Sequence, residues 1–174
     1  MRDRSIVRLL ALPAALVVAA LAARLSIAEV YRVPSRSMEP ALAPGDQVVV
    51  TRLRSALPRR GDVVVFEDGE GRAWIKRVIG LPGDSVVVEG AHVSVNGATL
   101  AEPWAGEASS DARATHLVPA EHYFVMGDNR ANSDDSRVWG FVARESIVGR
   151  ARLICWSRAD HGAIRWERLL SSVE

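Results

Sequence analysis

Two hydroxyls and one amine are the groups in this sequence best placed to do chemistry. Ser35 and Ser37 stand one residue apart in "VPSRSMEPALAPGD", Val33 to Asp46, with Pro34 before them and Pro40 after. Proline fixes φ, so a hydroxyl held in this stretch has little conformational freedom to lose when it acts as a nucleophile. Serines beside prolines also build turns, and the pattern taken alone leaves both readings open. The amine is Lys76. It is the only lysine among 22 basic residues, the other 21 being arginine. An arginine cannot lose its proton in a protein and a desolvated lysine can, so a position that keeps lysine against such a bias points to a need for the neutral amine. A neutral lysine is a general base able to activate a serine.

The residues around these groups support that chemistry. A strand alternates faces, so in "AWIKRVI" Trp74, Lys76 and Val78 share one side and Ile75, Arg77 and Ile79 the other, which sets Lys76 between apolar neighbours. Desolvation there lowers the lysine pKa, whereas a lysine at a strand edge lifts its charge into water. The Ser35 hydroxyl, aimed at the carbonyl oxygen that Ser37 attacks, would join the Ser37 N–H as an oxyanion donor. A third polar stretch is "GDNRANSDDSRVWG", Gly127 to Gly140. Read as a calcium loop it fails: Asp128 and Asn132 suit positions 1 and 5, but Arg130 falls at position 3 and Ser133 on the required glycine. Read as a hydrogen-bonded turn, it is fixed by pairing of Asp135 with Arg137 or of Asp128 with Arg130. His92, His116, His122 and His161 are scattered and form neither an H-E-x-x-H nor a G-x-S-x-G pattern.

The elements that must position these groups are short and β-branched. "DQVVVTRL", "GDVVVFE", "AWIKRVI", "DSVVVE", "HVSVNG", "HYFVMGDN" and "SIVGRARLICW" alternate with Gly, Pro and Asn-Gly punctuation, which predicts antiparallel β structure rather than βαβ units. "WAGEASSDARAT", Trp104 to Thr115, reads as a long surface loop. The tail "AIRWERLL" sets Trp166, Leu169 and Leu170 beside Arg165 and Arg168, suited either to an anionic membrane surface or to a last packed segment. Ahead of the strands, Leu9 to Ala23 is an unbroken apolar run of 15 residues between Arg8 and Arg24. A spanning helix needs about 20 residues, reached if Arg24 snorkels and the helix continues through "LSIAEV". A cleaved targeting segment fits the same run, and both readings export the rest of the chain. Arg2, Arg4 and Arg8 favour a cytoplasmic N-terminus.

Composition limits the rest. At 174 residues and 48% hydrophobic, the chain supports one sizeable core once the apolar run is set aside. Basic and acidic residues nearly cancel, 22 against 21, and no block of like charge is long enough to grip a phosphate backbone, which excludes nucleic acid as an expected partner. Cys155 is the single cysteine, so neither an internal disulfide nor a C-x-x-C site can form.

Taken in order, "PSRSMEP", "RGDVVVF", "WIKRVIGLPGD" and "GDNRANSDDSRVWG" behind one apolar segment resemble the boxes of type I signal peptidases, membrane-anchored Ser/Lys proteases that remove signal peptides from exported proteins. The likeness runs from about Arg24 to Phe141. It implies a mainly β fold, an antiparallel, barrel-like sheet domain behind one N-terminal transmembrane helix. Residues 1–30 would be the cytoplasmic tip and anchor, and residues 31–174 an extracytoplasmic protease domain with a small cap at about 85–120, held at the cytoplasmic membrane. By the same resemblance Ser37 is the nucleophile, Lys76 the general base, Ser35 the oxyanion donor and Ser133 the serine that orients the lysine. Asp128, Arg130, Asp135 and Arg137 would hold the frame of the site, and Val33 and Met38 would line shallow substrate pockets. Signal-peptide-bearing preproteins and membrane lipid are the implied partners, with no metal or cofactor. Ala41 stands where the family more often has Thr, and Trp74 where it often has Tyr. Two rivals remain at this level: a pilus-processing peptidase of a conjugation system, and an inactive tethered module that binds exported peptides. Retention of Ser37, Lys76 and Ser133 together argues against the second.

Overall fold

The structure, a computed structural model, describes residues 28–53, 56–90, 92–106, 113–159 and 161–173. The apolar run expected to form an anchor lies outside the described residues. Eleven strands are formed among those described: β1 (Ala28–Arg32), β2 (Asp46–Arg52), β3 (Val63–Glu67), β4 (Ala73–Gly80), β5 (Ser85–Glu89), β6 (His92–Val95), β7 (Ala98–Thr99), β8 (Arg113–Leu117), β9 (His122–Met126), β10 (Val142–Ala143) and β11 (Ile147–Ser157). One helical turn, α1 (Ser136–Trp139), precedes β10. The β-branched runs form strands because stiff side chains pack well on a pleated surface. Turn residues end them where expected: Asn96 and Gly97 both take positive φ, 53° and 81°, as the tight turn between β6 and β7 demands.

Seven strands make one antiparallel sheet in the order β1-β2-β11-β3-β4-β9-β10, and four make a second in the order β7-β6-β5-β8. The expected barrel does not close. A barrel requires its outer strands to pair, and here β1 and the two-residue β10 stay at opposite edges. Strand β11 crosses the middle of the large sheet, pairing with both β2 and β3 through register shifts that bend it.

Three apolar clusters form the core. The first packs Val33, Met38 and Leu42, from the loop between β1 and β2, against Val48, Val50 and Ile154 of the large sheet. A second joins Ile79, Phe124 and Met126 of the large sheet to Val86, Val93 and Val95 of the small one, so the two sheets share a continuous interior. The third gathers Val64, Phe66 and Val78 with Tyr123 and Val125. Strand β4 lies between clusters and is buried on both faces from Ile75 to Gly80. A side chain at Gly80 would come within 2.6 Å of Val86, so glycine there permits the small sheet to meet the large one.

Two sequence expectations change. A helix continuing through "LSIAEV" is not what Ala28 to Val30 form; they lie in β1, which pairs residue for residue with β2 from Ala28↔Thr51 to Arg32↔Gln47. Alternation explains it, since Glu29 and Tyr31 share one face and the Tyr31 hydroxyl donates to Glu29 at 2.8 Å. In the expected loop at 104–115, Arg113 to Thr115 open β8, which pairs with β5 from Arg113↔Glu89 to Leu117↔Ser85. The C-terminal arginines turn inward: Arg168 donates to Asp46 Oδ2 at 2.6 Å and Arg165 to the Ser157 hydroxyl at 2.8 Å, while Trp166 and Leu170 remain exposed.

Candidate active site

The loop from Val33 to Gly45 that carries the two serines is clamped at both ends. Val33 N–H donates to Asp46 O at 2.8 Å and Gly45 N–H to Val33 O at 3.0 Å. Between those bonds the chain drives Met38 and Leu42 into the core, both essentially inaccessible, and leaves Ser37 half-buried and Ser35 exposed beside them. Apolar burial on either side of a short polar segment thus fixes where the hydroxyls stand.

Lys76 meets them from β4. Its side chain is 2% exposed, and Nζ donates to Ser37 Oγ at 2.7 Å. The amine lies 5.9 Å from the centre of the Trp74 indole, and Val64 stands opposite on β3. Burial pushes the Lys76 pKa below the ordinary lysine value; Asp135 and Asp134 pull it back up and Arg137 works with burial. The Ser35 hydroxyl lies 3.2 Å from Ser37 Oγ, in a contact where either oxygen can be the donor.

Behind the pair, the stretch from Gly127 to Gly140 is organised by Asp135. This buried carboxylate accepts the Gly127 N–H at 2.9 Å, the Ser133 hydroxyl at 2.9 Å and Arg137 Nε and Nη2 at 2.8 Å each. Burial works to raise the Asp135 pKa, but Arg137, the Gly127 N–H and the Ser133 hydroxyl outweigh it and hold the carboxyl below its usual range. Asn129 N–H donates to the Ser37 carbonyl at 3.1 Å, tying this stretch to the backbone of the serine loop. The approach is close enough that a Cβ on Gly127 would fall 2.4 Å from that carbonyl and 2.2 Å from Ser133 Oγ.

Of the residues singled out in the sequence, Ser35, Ser37, Lys76 and Ser133 line one cleft of about 700 Å³ together with Arg130 and Arg137. Val33 and Met38 lie in the core and border a smaller groove of about 230 Å³ that also reaches Ser37 and Lys76. Asp128 and Asp135 stand behind the cleft, fully buried. Two partnerships differ from expectation. Asp128 pairs with Arg77, which donates through Nε at 2.8 Å and Nη2 at 2.7 Å, rather than with Arg130. Arg130 donates to the Gly127 carbonyl at 3.0 Å and pairs with Glu102. The Asp128 side chain turns inward toward β4, where Arg77 stands opposite Met126, two residues before Asp128. The Ser133 hydroxyl donates to Asp135 at 2.9 Å, which leaves its oxygen lone pairs as acceptors beside the cleft it lines.

Sequence reasoning passed over Arg77, Glu102 and Gly127. Arg77 carried a signal: an arginine between Ile75 and Ile79 on one strand face must find a buried anion. Its guanidinium also stacks 4.5 Å from the centre of the Trp104 ring. Glu102 carried none. His116 lines the cleft with its ring 4.7 Å from that of Phe124, and burial lowers its pKa.

The chemistry open to this arrangement is proton transfer from a half-exposed hydroxyl to a desolvated amine at hydrogen-bond distance, beside a second hydroxyl and a groove of small volume.

Comparison with known proteins identifies the family. The model of the signal peptidase family, peptidase S26, matches residues 6–156. Signal peptidase I of Leptolyngbya laminosa is 41% identical over 151 residues, spanning 80% of this chain and 74% of that protein. The probable signal peptidase I-2 of a Synechocystis species is 40% identical over 149 residues, spanning 80% and 68%. A crystal structure of a signal peptidase I from Enterococcus faecalis, 33% identical, overlaps 55% of this chain and 97% of its own, with a TM-score of 0.49.

Proposed function

The chain belongs to the signal peptidase family, peptidase S26, a serine endopeptidase acting on exported preproteins, and on that premise we propose that Ser37 is its nucleophile and Lys76 its general base. One observation carries the assignment: Nζ of a lysine only 2% exposed lies 2.7 Å from Ser37 Oγ. In acylation the Ser37 proton passes to neutral Lys76 while Oγ bonds to the scissile carbonyl carbon. The oxyanion so formed takes hydrogen bonds from the Ser35 hydroxyl and the Ser37 N–H. Collapse breaks the C–N bond, the ammonium returns its proton to the departing amine, and an acyl-enzyme remains. A water that gives its proton to Lys76 then attacks the ester, and Ser37 recovers a proton as the signal peptide leaves with a free carboxylate.

The groove bordered by Val33 and Met38 accepts the residue before the cut, and its small volume selects small side chains there. A hydrophobic pocket discriminates by only about 1–3 kcal/mol per methylene. Confinement of enzyme and precursor to one membrane supplies the remainder through effective concentration. That requires the residues ahead of β1 to hold an N-terminal anchor with its tip in the cytoplasm, in contact with membrane lipid, and the protease domain outside, with the small sheet between Ser85 and Leu117 as its cap.

Incubation of the purified full chain with a model precursor tests the assignment. Ser37→Ala and Lys76→Arg should each abolish cleavage in a folded protein, and substantial residual activity in either would refute it.

A further inference from the structure

The Trp74 indole is the partition of the site. It borders the 700 Å³ cleft, the 230 Å³ groove and a third recess of about 280 Å³ shared with Phe66 and Trp139, and it stands beside the Lys76 amine. A ring in that place decides two things at once, how much water reaches the amine and how deep the groove runs.

The ring is held from outside the four motifs. Trp74 Nε1–H donates to Asp68 Oδ2 at 3.0 Å, and the same oxygen accepts Arg72 Nε at 2.9 Å. The other oxygen, Oδ1, accepts the backbone N–H groups of Glu70 at 2.9 Å and Arg72 at 3.0 Å, so one edge of the carboxylate builds the β3–β4 turn and the other grips the indole. The Trp74 N–H leads the contacts that hold the Asp68 carboxyl well below the usual carboxylate range, so it stays an acceptor throughout the working pH range. Trp139 meets the indole at 6.5 Å between ring centres but offers it no acceptor.

We propose that Asp68 is a positioning residue for size selection: by fixing the Trp74 indole it limits the depth of the groove before the cut and keeps water from Lys76. The proposal rests on the Ser37–Lys76 reading. Asp68→Asn separates the two roles of the side chain. Its carbonyl keeps the Oδ1 bonds to the turn, and its NH2 faces the indole N–H, where donor meets donor.

The test measures kcat/KM on two precursors that differ only in Ala or Val before the cut, across pH, for wild type, Asp68→Asn, Trp74→Phe and the double variant. Asp68→Asn should lower the Ala-to-Val preference by about tenfold. It should also move the rise of kcat/KM with pH to higher pH, because a wetter Lys76 holds its proton longer. Trp74→Phe, which has no N–H to hold, should show a like loss, and adding Asp68→Asn to it should change nothing more. A merely structural Asp68 would lower both precursors equally and leave preference and pH limb in place, which overturns the inference. So does an equal effect of Asp68→Asn in the Trp74→Phe background. Wild-type protein that cuts neither precursor would sink this inference together with the Ser37–Lys76 reading, whereas normal wild-type cleavage with an unmoved preference sinks this inference alone.

Discussion

Arg77 donates to Asp128 through two nitrogens, at 2.8 and 2.7 Å, in a pair whose side chains are 1% and 0% exposed. Arg77 follows Lys76 in β4, so one strand sends its lysine to one face and its paired arginine to the other. The pair locks β4 to the chain just beyond β9, and through it Lys76 is held in register with the Asp135 network. Arg77 Nη1 adds a bond to the Gly61 carbonyl at 2.8 Å.

Removing one partner of such a pair leaves an uncompensated buried charge, at a cost of about 3–5 kcal/mol. Arg77→Met should therefore lower the urea unfolding free energy of the full chain in detergent by that order. Arg77→Met combined with Asp128→Leu should recover most of it. A single variant as stable as wild type would show that the pair does not hold the site's frame.

Ser35→Ala tests the oxyanion donor. The Ser35 hydroxyl lies 3.2 Å from Ser37 Oγ, and on the proposed reading it donates to the developing charge, a contact worth a factor of roughly 10²–10³ in kcat. The loss should fall on kcat with KM little changed, and an unaltered kcat would remove Ser35 from the reaction.

Gly127→Ala tests the contact between the Ser37 loop and the Asp135 network. The added methyl would sit 2.4 Å from the Ser37 carbonyl, a backbone atom that cannot step aside alone. A displacement of the nucleophile by about 1 Å costs on the order of 10²-fold in rate. Cleavage within a few-fold of wild type, in protein with an unchanged circular dichroism spectrum, would show that the two loops can part without harm.

How much of the fold and site was legible in the sequence depends on which interactions are local. The strands were readable because "VVV" runs bounded by Gly, Pro and Asp carry both propensity and punctuation. Ser37 and Lys76 were readable because one lysine among 21 arginines and two serines between prolines stand out by residue type. Strand β8 was not, since its residues are almost all exposed and "RATHL" lacks an apolar face to betray it. Pairing Asp128 with Arg130 assumed that neighbours in sequence are neighbours in space. The true partner lies 51 positions away, and only the β4–β9 register brings it there.

Asp134→Asn tests the electrostatic environment of the base. Asp134 is exposed at the cleft, and its charge favours the Lys76 ammonium against the desolvation that disfavours it. On the proposed Ser37–Lys76 reading cleavage requires the neutral amine, so kcat/KM rises with pH as Lys76 loses its proton. Removing the carboxylate lowers the Lys76 pKa and should move that rise to lower pH, by less at high salt, where an exposed charge is screened. A limb that stays in place or moves to higher pH would show that Asp134 does not act on the base.

Because Lys76 is the only lysine in the chain, protein labelled with ¹³Cε-lysine gives one lysine signal, and its titration reads the base directly. The Ser37–Lys76 account predicts a midpoint clearly below the ordinary lysine value of about 10.4, coinciding with the rise of kcat/KM on the same protein. A midpoint at or above the ordinary value, with cleavage already at its maximum while the amine is still protonated, would contradict it.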